Sequence, residues 1–140
     1  MEEYKSKNLP IMIAGVRVSE PNTLGGVNVT LYPMITSTKP IKYVKTTFSA
    51  YNRVGDKVKC DISGETQFTG SVTGPLNFGD FQWGWMWKNA WWNSSVHCVE
   101  IEFVSVEYMD DDVEVYLKKE LDKLYAPEEL RQKNSDFCDW

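Results

Sequence analysis

Residues 79–95, GDFQWGWMWKNAWWNSS, hold five of the chain's six tryptophans, at positions 83, 85, 87, 91 and 92. Trp83, Trp85 and Trp87 alternate with Gln82, Gly84, Met86 and Lys88. Successive side chains of a strand take opposite faces, so a strand here carries all three rings on one face. One such ring buries about 150–250 Å2. The stretch therefore anchors either a core or an exposed ligand platform, and everything else in the chain has to be built around that choice.

The same period of two recurs along most of the sequence. Ile11 and Ile13 share one parity and Val16 and Val18 the other, a change of phase at Ala14–Gly15 that a β-bulge produces. A second strand is expected over about Val27–Thr36, with Pro33 demoting it to an edge or breaking it. A third is expected over Ile41–Tyr51, with Val44, Thr46, Phe48 and Ala50 on one face. Weaker strands follow near Val58–Ile62 and Thr66–Thr73, then the tryptophan strand from Phe81 to about Lys88, with Trp91 and Trp92 in a loop. Val96–Met109 alternates cleanly and changes phase near Phe103–Val104, and Val113–Tyr116 makes a short last strand. Glu20–Gly26, Ser37–Pro40, Asn52–Asp56 and Asp110–Asp112 carry turn chemistry. No helical pattern lies between strands, so parallel-sheet crossovers are excluded. The fold class predicted is all-β, an immunoglobulin-like antiparallel β-sandwich of seven or eight strands.

After the last strand the period changes. Leu117, Leu121 and Leu124 recur at helical spacing, and Pro127 ends that helix and opens a second short one to Lys133. The organisation expected is a flexible tail over 1–8, the sandwich over 9–116, and a short α-helical extension over 117–140. The extension is acidic. Residues 107–140 carry 5 Lys/Arg against 11 Asp/Glu, whereas residues 1–106 carry 10 against 9. A near-neutral body with an acidic end excludes general binding to nucleic acid or anionic membrane, and suits docking to a basic partner surface. Cys60, Cys98 and Cys138 lack CxxC spacing, so free thiols are the plain reading, with a Cys60–Cys98 bridge as the alternative. With no apolar run after the charged start, the chain reads as cytoplasmic as written, and as extracytoplasmic if Met1 is not the native start.

Several phrases stand out as a set: Ile41-Lys42-Tyr43-Val44 leading into Tyr51-Asn52-Arg53-Val54-Gly55-Asp56, then Thr73-Gly74-Pro75-Leu76, Trp87-Lys88-Asn89-Ala90-Trp91-Trp92-Asn93-Ser94-Ser95, and Val106-Glu107-Tyr108-Met109-Asp110. Through them residues 26–110 resemble a family of small bacterial β-sandwich domains of poorly defined function. The resemblance implies an immunoglobulin-like sandwich and supplies no catalytic residues. Two departures stand out. Relatives look exported or surface-attached, and they commonly end soon after the strand that follows Tyr108-Met109-Asp110, where this chain continues. Because the phrase includes positions 87, 91, 92 and 93, the resemblance pushes those residues toward structure.

Candidate chemistry is sparse. Trp85 and Trp87 read as core, and the binding candidates are Trp83, Trp91, Trp92 and Asn93, with Phe137 and Trp140 in the tail. Asp110, Asp111, Asp112 and Glu114 lack the spaced pattern of a calcium loop and read as a turn. His97, the only histidine, sits beside Cys98 in an expected strand where neighbours point apart, so the two form no dyad. Glu100 and Glu102 share a strand face at a separation glycoside hydrolysis can use, though alternation on a solvated face explains them with less. No catalytic residue, metal or cofactor is assigned. The reading is a non-catalytic protein-interaction module binding a partner through an exposed aromatic loop, the acidic extension, or both. One variant is a small inhibitor from a mobile element, a homo-oligomer is compatible with it, and the alternative is a carbohydrate-binding domain using exposed tryptophans.

Overall fold

The computed structural model describes residues 9–79, 84–131 and 135–138. Among these there are seven strands: β1 (Ile11–Val18), β2 (Gly26–Ile35), β3 (Ile41–Tyr51), β4 (Gln67–Leu76), β5 (Trp85–Trp92), β6 (Cys98–Tyr108) and β7 (Val113–Leu117). They form two antiparallel sheets, a three-stranded one in the order β1-β2-β5 and a four-stranded one in the order β4-β3-β6-β7. The two inner faces meet in one core. Ile11, Ile13, Val16, Val29 and Leu31 come from the first sheet, and Val44, Phe48, Ile101, Val104 and Val106 from the second.

Local sequence explains the joints. Ala14 is the extra residue of a bulge between the Ile13 and Gly15 pairings, as the phase change demanded. Glu102 is the extra residue in β6, placed between the Ile101 and Phe103 pairings. Two tight turns share one device. Asn22 Oδ1 accepts from the N–H of Leu24 and Gly26 (2.9 Å each), and Asn52 Oδ1 from Val54 (3.1 Å) and Asp56 (2.9 Å). Gly25 and Gly55 supply the left-handed φ (86° and 87°) that these turns need.

Three expectations about the strands are corrected. Pro33 neither breaks nor ends β2, which is the middle strand of its sheet. Opposite it on β1, Ile13 turns its N–H and C=O away to Leu124 and Ala126, so β1 does not call for the missing donor. Residues 58–62 are not a strand, because Val58 and Cys60 are buried one at a time from an irregular loop. Trp91 and Trp92 lie in β5 rather than a loop. The expected start of that strand, 81–83, falls outside the described residues, as does the expected tail over 1–8.

The α-helical extension is two 3₁₀ turns, Lys118–Lys123 and Glu128–Leu130. Only nine residues separate β7 from Pro127, and the last of them pair with β1, leaving too few for a stable α-helix. Leu121 and Leu124 nevertheless bury as the spacing implied. Ile13 N–H donates to Leu124 O and Ala126 N–H to Ile13 O (2.8 Å each), so the extension runs along the free edge of β1.

The free-thiol reading is also corrected. Cys98 and Cys138 form a disulfide, and Cys60 alone is free and buried. Residues 135–138 form a strap laid between the two sheets. Asp136 N–H donates to Val16 O (2.9 Å) in one sheet, while Val99 N–H donates to Asp136 O and Cys138 N–H to Val99 O (3.0 Å each) in the other. Ser135 Oγ and Asp136 Oδ2 accept from the N–H of Val16 and Val18 (3.0 and 2.8 Å). That pairing brings the Cα atoms of Cys98 and Cys138 to 5.1 Å, within disulfide reach.

Candidate functional site

The aromatic strand is mostly spoken for by packing. Trp85 and Trp91 are buried and Trp87 half-buried. A bulge at 88–90, with Asn89 at φ 53°, inserts two extra residues in β5 between the Val29↔Trp87 and Val27↔Trp91 pairings. Two extra residues leave the parity unchanged, so Trp91 stays on the inner face with Trp85 and Trp87, where its ring packs 5.9 Å from Phe68 and only 1% of the residue meets solvent. Trp87 lies against Phe48 (5.8 Å) and Phe68 (6.3 Å) and covers Gly70, where a β-carbon would strike the indole.

As a binding candidate Trp91 is thus corrected to a core residue, and its ring is closed to a stacking sugar. Trp92 is half-buried. Asn93 is a turn former, with Nδ2 donating to Lys59 O (3.0 Å) and Oδ1 accepting from Ser95 N–H (2.9 Å). Phe137 belongs to the strap, edge-on to Tyr125 at 5.4 Å. Trp83 and Trp140 lie outside the described residues. Among the described residues the indole N–H groups of Trp85 and Trp91 have no acceptor, contrary to the usual pattern for buried indoles.

The charged candidates are occupied by lysines. Lys39 Nζ bridges Asp110 (3.1 Å) and Asp112 (3.0 Å), and Lys42 Nζ reaches Asp111 (3.4 Å). Lys118 Nζ sits between Glu100 (2.8 Å) and Glu102 (3.3 Å), which makes that carboxylate pair one lysine's clamp. Hydrogen bonds that the ammonium groups donate to these carboxylates hold their pKa above the ordinary value. His97 precedes β6 and donates its backbone N–H to Tyr51 O (2.8 Å), while the Cys98 sulfur beside it is committed to the disulfide. Among the described residues no three His, Cys, Asp or Glu side chains gather to hold a metal.

Two features escaped the sequence. The first is a titratable cluster under β7, where Glu114 accepts from Tyr108 Oη (2.6 Å) and Tyr116 Oη (2.7 Å). Burial, then the bond to Glu114, raises both phenols above their ordinary range, and burial pushes Tyr125 up to about 12. Unfolded tyrosines release their protons near pH 10, whereas these hold theirs longer, so the native state binds more protons above that pH. Stability is therefore complete below pH 10 and is expected to fall above it. Tyr125 alone contributes about 1.4 kcal/mol per pH unit up to its own pKa. Urea midpoints measured from pH 9 to 11.5 check this, and a flat profile refutes it. The free Cys60 behaves differently. Burial pushes its thiol up, but hydrogen bonds from Ser63, Trp92 and Ile62 override burial and bring it down to about 7.

The second is an apolar stripe on the outside of the sandwich. Val113 (55% exposed), Val115 (50%) and Leu117 (48%) project from the outer face of β7, and Phe103 (36%) stands opposite Leu117 on β6. A solvated edge strand ordinarily carries polar residues there. A groove of about 440 Å3 also opens between β1, β6 and the extension, with Glu100, Lys118, Tyr125, Arg131 and Phe137 in its wall. No helix among the described residues is long and apolar enough to cross a membrane. No known protein family matches the chain, and no curated protein matches it.

Proposed function

We propose that this chain is a non-catalytic, immunoglobulin-like interaction module that binds a partner protein through the outer face of β6 and β7. The exposed stripe of Phe103, Val113, Val115 and Leu117 carries this reading, because apolar side chains lined up on an edge strand gain free energy only when another surface covers them. The strand order supports the immunoglobulin-like description. First, second and fifth strands share one sheet and third, sixth and seventh the other, with the fourth beside the third. The earlier contact candidates give way to this surface: the aromatic strand is largely core, and the described part of the acidic extension is paired to β1 and β6. The Cys98–Cys138 disulfide favours an oxidising compartment.

Truncating the extension would unfold the sandwich edge, so the test uses point probes. A photo-reactive residue in place of Val115 is expected to give one discrete cross-linked protein product in cells expressing the chain. The same residue in place of the exposed Ser71, on the opposite edge strand β4, is expected to give none. Equal products from both positions, or none from 115, refute the reading.

A further inference from the structure

The sandwich leaves four strand edges. The β1 edge is taken by residues 124–126 and by the strap, and β4 and β5 approach each other through Trp87, whose Nε1 donates to Ser71 O (3.4 Å). β7 is different. Its hairpin begins with Tyr108 N–H donating to Asp112 O (2.8 Å), which sets the phase of the ladder. From there Glu114 and Tyr116 turn their backbone groups to β6, and Val113, Val115 and Leu117 turn theirs to the open side. Among the described residues nothing pairs with the outward groups of Val113 and Val115, and the Leu117 N–H meets only Glu120 Oε1 (3.4 Å). The residues with open backbone are therefore the same ones that carry the apolar stripe.

We infer that β7 pairs antiparallel with β7 of a second copy of this chain about a two-fold axis at Val115, joining two four-stranded sheets into one. This rests on the interaction reading above and names its partner. The segment Asp111-Asp112-Val113-Glu114-Val115-Tyr116-Leu117-Lys118-Lys119, centred on Val115, is complementary to itself when reversed. Val115 meets its own counterpart, and Val113 meets the partner's Leu117 with both sets of backbone groups facing each other. The stripe then runs unbroken across both copies.

Charge selects this partner over an unrelated strand. Asp112 and Asp111 at one end of β7 are brought to Lys118 and Lys119 at the other end of its counterpart. Asp111 is 80% exposed beyond its contact with Lys42, and Lys119 makes no ion pair among the described residues. A lone apolar edge strand normally carries a guarding charge in its middle. The one charge inside β7, Glu114, is held on the other face by Tyr108 and Tyr116, and the charges at the two ends have opposite signs, which is compatible with a two-fold pair. A five-residue pairing is smaller than a standard interface, so the dimer is expected to dissociate on dilution.

Sedimentation equilibrium of the full oxidised chain over a rising concentration series provides the test. The expected result is a reversible monomer–dimer equilibrium that Val115→Lys abolishes, since it sets two ammonium groups face to face, with no change in melting temperature. Lys119→Asp is expected to weaken the dimer at least tenfold, and the double variant Asp111→Lys/Lys119→Asp to restore it. A chain that stays monomeric into the millimolar range, or a dimer indifferent to Val115→Lys, overturns the inference. If the probe at 115 cross-links a different protein while the chain remains monomeric, the second-copy inference fails and the interaction reading survives.

Discussion

Trp91→Ala is expected to cost the fold about 3–5 kcal/mol, the range for removing a buried tryptophan from a packed core. The ring is enclosed between the sheets against Phe68, so the cavity left behind has little exposed chain to collapse it. Trp92→Ala, at the half-buried neighbour, should cost clearly less. The more telling variant is Trp91→Phe. The indole N–H has no acceptor among the described residues, and a buried donor without a partner carries a penalty of about 1–3 kcal/mol that phenylalanine removes. Trp91→Phe should therefore lose less than half of what Trp91→Ala loses, despite its smaller volume. Chemical denaturation of the three variants checks the order. Equal losses in the alanine and phenylalanine variants would show that the nitrogen is satisfied after all.

Cys138→Ser is expected to cost about 4 kcal/mol, the loop-closure entropy of a 40-residue cross-link. Cys98→Ser should cost the same, and the double variant no more than either, because the two sulfurs form one interaction. Denaturation of the native chain with and without reductant supplies the control. A midpoint unmoved by complete reduction would mean that the backbone pairing of Val99 with Asp136 and Cys138 holds the strap by itself.

What the sequence made legible was local. The strand period, the bulge at Ala14 and the Asn-led turns at 22 and 52 are each written within a few residues, and each is in the structure. The bulge in β6 was legible to within a residue, since the inward parity of Ile101 gives way to that of Val104. What stayed hidden depended on partners distant in sequence. Pro33 fits β2 because Ile13, opposite it, bonds to Leu124 and Ala126 and does not call for the missing donor. Trp91 enters the core because β5 continues through the bulge at 88–90, whose two extra residues keep the parity that Trp91 shares with Trp85 and Trp87. Nothing in the spacing of three cysteines could reveal that Asp136 bonds to both sheets and so delivers Cys138 to Cys98. The β7 stripe was the more instructive omission. Val113–Tyr116 was legible as a strand but not which face it buries, and Leu117 grouped with the helical spacing of Leu121 and Leu124; in the structure Tyr116 faces inward and Val113, Val115 and Leu117 face out.

The disulfide has a mechanical consequence. Tension applied between the two ends of the chain passes from Cys98 directly to Cys138 and never enters the segment between them, a sequence separation of 40. At about 3.3–3.6 Å per residue, close to 140 Å of contour length is withheld from any extension. β7 lies inside that withheld length, so the strand offered for pairing sits outside the line of force. Pulling on the ends has to pry the sheets apart at β1 and the strap, and it cannot peel β7 away first.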